Sequence, residues 1–129
     1  MATWRDISVQ QAVAAKRLSG ADVARPAVSR AYYAVYSGVV HALHRQGLRR
    51  FGGRGNPDHA DTPALVLHNL SSLDQASRRS LAQSLRRLRA QREDADYRPH
   101  RTVDETTRLR AIWEMDRAFS ALGAAEVRA

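Results

Sequence analysis

One arginine stands where the sequence pattern asks for a leucine. Leu81, Leu85 and Leu88 set a three-and-four spacing, and the stripe next reaches Arg92, then Ala95 and Asp96 one turn on. A guanidinium does not lose its charge, so on an inward helix face it needs a carboxylate, a backbone carbonyl or an incoming phosphate. Asp96, four residues along, supplies one such partner; a plain surface Arg92–Asp96 pair, contributing a few tenths of a kcal/mol, meets the same pattern. His41 and His44 also share a helix face, as two ligands of a transition metal would. No cysteine is present and local spacing implies no third ligand, so these histidines read as packing residues and no metal is expected. The glycine-rich segment after them lacks the Gly-Lys-[Ser/Thr] ending and the preceding strand of a nucleotide-phosphate loop, and no cofactor is expected.

The elements that must position Arg92 are helices, since no segment alternates as a strand does. A first helix is expected from about Ser8 to Leu18, with Ser8 and Gln11 as a capping box and Gly20 beyond its end. A second begins after Asp22, takes Pro26 in its first turn and runs to Gln46, where Gly47 supplies the left-handed stop. Its buried face is Val28, Ala31, Tyr32, Val35, Tyr36, Val39 and Leu43. Ala34, Ser37, Gly38 and His41 form a small-residue strip; a glycine inside a helix costs ~1 kcal/mol unless something packs closely, and a symmetry mate is one candidate for the approaching helix. Residues 47–61 hold four glycines and Pro57, with Arg49, Arg50 and Arg54, and read as a flexible basic loop. Thr62 and Pro63 start a short helix through Leu70. Ser72 and Gln75 cap a fourth helix to about Ala95, and Thr102 and Glu105 cap a fifth that turns Leu109, Ile112, Trp113, Phe119 and Leu122 inward. The fold class is all-α: a single domain over 1–129, a bundle of four long helices plus a short one.

Composition bounds the function from outside. At 129 residues with 43% hydrophobic content, the chain holds one core. The absence of cysteine excludes disulfides and thiolate zinc sites and fits a reducing cytoplasm. The N-terminus lacks the order of a signal peptide, and no stretch nears the ~18 apolar residues of a membrane span, so a cytoplasmic, membrane-free protein is expected. A net charge of +8 favours phosphate-rich partners through a sequence-independent electrostatic attraction, which puts nucleic acid first. Lys16 is the only lysine among 21 basic residues, a skew that a GC-rich genome would also produce.

Ser29-Arg30-Ala31-Tyr32-Tyr33-Ala34-Val35-Tyr36 together with Arg92-Glu93-Asp94-Ala95-Asp96-Tyr97 resembles HEPN-domain proteins of prokaryotic toxin and defence modules. The first segment is similar to their S-R-A-Y-Y-A helix, the second to the R-x-x-A-D-Y ending of their fourth helix, and the likeness spans about residues 10 to 122. It implies a HEPN-like bundle that dimerises about a two-fold axis, setting both fourth-helix motifs beside one cleft. In active relatives that cleft is a metal-independent RNase site. An arginine holds phosphate, and a histidine four to six residues away assists proton transfer as a ribose 2′-hydroxyl attacks the phosphodiester, leaving a 2′,3′-cyclic phosphate.

The resemblance thus assigns Arg92 and His100 as catalytic and Asp96, Tyr97, Arg30 and Tyr33 as supporting or substrate-binding. Seven residues separate Arg92 from His100, a departure from the family pattern, and Pro99 is expected to end the helix first, leaving His100 in a turn from which its imidazole must fold back. The family spacing occurs once, as Arg54 to His59, inside the glycine loop. With so many arginines and five histidines, about two chance matches are expected, so that pair is rejected. Tyr97 would bind phosphate or accept a nucleotidyl group from a partner transferase, and its ring equally suits capping the core. Two functions follow: an endoribonuclease toxin acting on RNA, or a non-catalytic HEPN module binding nucleic acid, a nucleotide or a nucleotidyltransferase-like antitoxin. A homodimer belongs to both.

Overall fold

Thr3 and Asp6 open the first helix by satisfying each other's backbone. The Asp6 amide donates to Thr3 Oγ1 at 3.1 Å and the Thr3 amide to Asp6 Oδ2 at 3.0 Å, a reciprocal capping box. α1 therefore spans Trp4–Arg17, starting well before the expected Ser8. Ser8 is not a cap; it is buried, and its hydroxyl donates to the Ala34 carbonyl at 2.6 Å. The structure, a computed structural model, describes residues 2–18 and 23–128, with side chains through Gly123. The expected roles of Gly20 and Asp22 lie outside the described residues.

α2, Ala24–Arg45, is the central helix: α1, α4 and α5 all pack against it. Its expected face is buried, with Val28, Ala31, Val35, Val39 and Leu43 fully enclosed and Tyr32 and Tyr36 nearly so. Gly47 ends it at φ 93°, with the Leu48 amide bonded to the Leu43 carbonyl and the Gly47 amide to that of His44, each at 3.0 Å. This is the Schellman arrangement, which a side chain at the left-handed position would disfavour.

The small-residue strip receives helices of the same chain. A Cβ at Gly38 would stand 3.0 Å from both Leu122 Cδ1 and Ser8 Oγ, so the missing side chain lets α1 and α5 reach the backbone of α2. α3, Thr62–Asn69, carries Pro63 in its first turn and packs on α4. α4, Gln75–Tyr97, is capped by Asp74, which accepts from the Ser77 amide at 2.7 Å, and not by the expected Ser72. Leu81, Leu85 and Leu88 are buried as the spacing requires.

α5, Glu105–Arg128, begins after Asp104, whose carboxylate takes the Thr107 amide and hydroxyl, where Thr102 had been expected to cap. Its face is only partly the expected one, with Leu122 buried and Ile112 and Phe119 packed against the core as expected. Leu109 and Trp113 are 54% and 57% exposed, while Ala111, Met115, Ala118 and Leu122 are buried together with Arg108 and Glu114. The charged pair explains the difference: Glu114 accepts from Ser84 and from Arg87 on α4, and Arg108 binds Glu105 and the Leu18 carbonyl. A reading that sends charges outward turns Leu109 and Trp113 inward in their place. The described residues thus form an all-α bundle in which no helix is long and apolar enough to cross a membrane.

Candidate functional site at the junction of α2 and α4

The last turn of α4 is fastened by an arginine far away in sequence. Arg25, in the first turn of α2, donates from Nη1 to the carbonyls of Asp94 and Ala95 at 2.9 and 3.0 Å, and its two terminal nitrogens also reach those of Arg98, Pro99 and Arg101. The final carbonyls of a helix lack intrahelical partners and carry partial negative charge, so a cation here satisfies both needs. This clamp fixes Asp96 and Tyr97 against α2.

Arg92 lies one turn back, its side chain only 11% exposed. Nε donates to Asp96 Oδ2 at 3.1 Å, and Nη2 donates to the hydroxyls of Tyr33 at 2.6 Å and Tyr97 at 2.9 Å. Its guanidinium carbon is 5.0, 5.1 and 5.7 Å from the ring centres of Tyr33, Tyr97 and Tyr32, within cation–π range of all three. Ser29 Oγ completes the set by donating to the same Asp96 oxygen at 3.1 Å. Among the described residues Nη1 makes no hydrogen bond, which leaves one donor edge of the fork uncommitted. An open groove beside it is lined by Ser29, Arg30, Tyr33, Asp96 and Tyr97. An edge of this kind, beside a groove lined by Arg25 and Arg30, suits a phosphate oxygen.

Of the six residues named from the sequence, the structure gathers five. Arg92, Asp96, Tyr97 and Tyr33 are in direct contact, and Arg30 lines the groove while reaching Gln11 Oε1 at 3.4 Å. Tyr97 does not cap the core; it is 65% exposed and lies over Arg92. His100 is exposed in the turn after α4 and makes no hydrogen bond to Arg92.

The histidine that does come near is His59. Its Nδ1 is 2.6 Å from Tyr32 Oη, and its ring packs on those of Tyr36, Tyr32 and Tyr33 at 4.3, 5.5 and 5.9 Å between centres. The loop that carries it is tied to α2: Tyr36 Oη donates to the Pro57 carbonyl at 2.6 Å and accepts from Asn56 Nδ2 at 3.0 Å, and His44 Nε2 meets the Gly55 carbonyl at 2.7 Å. Burial, then the positive charges of Arg92 and Arg89, push the His59 imidazole below its ordinary pKa. Burial pushes the phenols of Tyr32 and Tyr36 up, so both stay protonated. Arg54 pairs with Asp58 and not with His59.

The sequence does not single out Arg25, brings in Ser29 only as part of the motif, and offers His59 only in the rejected pairing with Arg54. The buried tyrosines held a usable signal, because a phenol on an apolar face must find a polar partner and only the following loop offered one. Among the described residues no three His, Asp or Glu side chains converge as a metal site would need. Comparison with protein-family models, with curated proteins and with solved structures finds no match to this chain.

Proposed function

We propose that this chain is a HEPN-type, metal-independent endoribonuclease, the toxin of a toxin–antitoxin or defence module, acting on RNA as a two-fold homodimer. One observation carries the reading: the inward-facing Arg92 is held by Asp96, Tyr33 and Tyr97 with its Nη1 uncommitted, and those three residues also line a groove that Arg25 and Arg30 make basic. A phosphodiester bound at that edge would have its developing negative charge stabilised by a guanidinium already fixed in place, the arrangement that lowers a phosphoryl-transfer barrier most. Asp96 and the two phenols orient the fork, and Arg30 adds positive charge along the path of the strand.

Incubation of the purified protein with mixed cellular RNA in EDTA, with the new ends mapped, tests this. Wild type is expected to leave 2′,3′-cyclic phosphate ends, and Arg92→Ala to cut at least 100-fold more slowly, as loss of a charge-stabilising donor does. A second reading, a non-catalytic HEPN module that binds nucleic acid, a nucleotide or a nucleotidyltransferase-like partner, is favoured by the exposed position of His100 apart from Arg92. Wild type that binds RNA and cuts none of it decides for the binding module.

A further inference from the structure

We propose that the proton-transfer histidine of the Arg92 site is His59, delivered by the loop of residues 47–61, and not His100; this rests on the endoribonuclease reading. His59 and the Arg92 guanidinium pack on the same two rings, Tyr32 and Tyr33, and Tyr33 also bonds Arg92 directly and lines the groove. The imidazole is oriented by its contact with Tyr32 Oη, as a base must be. The proposal places the ring proton on Nδ1, donating to that oxygen. Nε2 then carries the lone pair, and it makes no hydrogen bond among the described residues and is not sealed from solvent. The groups that face the ring are Tyr32, Tyr33 and Tyr36 from α2 and Arg92 and Arg89 from α4; burial, then the two cations, hold its pKa below the ordinary value and so favour the neutral ring that can accept a proton.

In the step assigned to it, the ribose 2′-oxygen forms a bond to phosphorus as its proton passes to His59 Nε2. The bond from phosphorus to the 5′-oxygen breaks, that oxygen takes a proton from water, and the imidazolium later returns its proton to solvent. The products are a 2′,3′-cyclic phosphate and a 5′-hydroxyl, and the step needs no further reactant.

The test compares His59→Gln, His59→Ala, His100→Ala and Arg92→Ala in single-turnover cleavage of one RNA in EDTA. Binding of the same oligonucleotide with 2′-deoxy substitutions and thermal unfolding are followed in parallel. His59→Gln keeps a group able to bond Tyr32, so fold and binding are expected to hold within about threefold while cleavage falls 100-fold or more and the acid limb of its pH profile disappears. His100→Ala is expected to cut like wild type. Cleavage kept in His59→Gln, or lost in His100→Ala, overturns the assignment and leaves the nuclease reading standing, provided Arg92→Ala is inactive. Wild type that cuts nothing overturns both.

Discussion

At the scale of single residues, the depressed pKa of His59 has a consequence for stability as well as for chemistry. Above the ordinary value of about 6.5 the ring is neutral whether the chain is folded or not; as pH falls below it, the unfolded chain takes up a proton that the folded one resists. Stability is therefore highest above that value and declines as pH drops toward the lower folded value. Unfolding temperature measured from about pH 7.5 to about pH 5.5 should fall for wild type and stay flatter for His59→Gln. The carboxylates of Asp6 and Asp104, lowered by the amides and hydroxyls of Thr3 and Thr107, lose their contribution only in a separate, more acidic window. Residues differ in how far the sequence reveals them. Arg92 was legible because it breaks a stripe whose other members are close in the chain, Asp96 followed by helical spacing, and Tyr97 came only from the resemblance. His59 and Ser29 were not, because their partners lie 27 and 67 residues away and no local periodicity reaches that far.

Elements come next, and here the joints matter more than the shafts. Removing the Arg25 side chain leaves the last carbonyls of α4 without their cation, so Arg25→Met should cost about 1–2 kcal/mol in urea unfolding and speed amide exchange around residues 94–98. Gly38 sets a second joint. Gly38→Leu would drive a side chain into Leu122 and Ser8, and a loss of about 1–3 kcal/mol is expected by the same measurement. Helix number, order and approximate limits could be read from apolar spacing, glycine stops and proline starts, as the α2 stop at Gly47 illustrates. Caps were read less well, since Thr3, Asp74 and Asp104 each stand near another residue of capping type. Leu109 and Trp113 on α5 were misread as inward because Glu114 and Arg108 are buried through partners on α4 and after α1, which spacing within α5 does not disclose.

For the whole molecule, the excess of positive charge sets how the protein meets a polyanion. Affinity for single-stranded RNA should fall linearly on a log–log plot against salt; neutralising about four phosphates gives a slope near −3, or roughly 60-fold between about 50 and 200 mM, readable by fluorescence anisotropy. A slope near zero would mean the charge is not used for binding. The loop of residues 47–61 carries a different consequence for the molecule as a unit. Its tip, Gly52 and Gly53, is exposed and bends back on itself, while Asn56, Pro57 and His59 beyond it are bound to the tyrosines of α2. A single protease cut at that tip would divide the chain into one piece bearing Arg25, Ser29 and Tyr33 and another bearing His59, Arg92 and Asp96. Neither piece owns the site, so whatever activity it has would be absent from each alone and restored by complementation when the two are mixed.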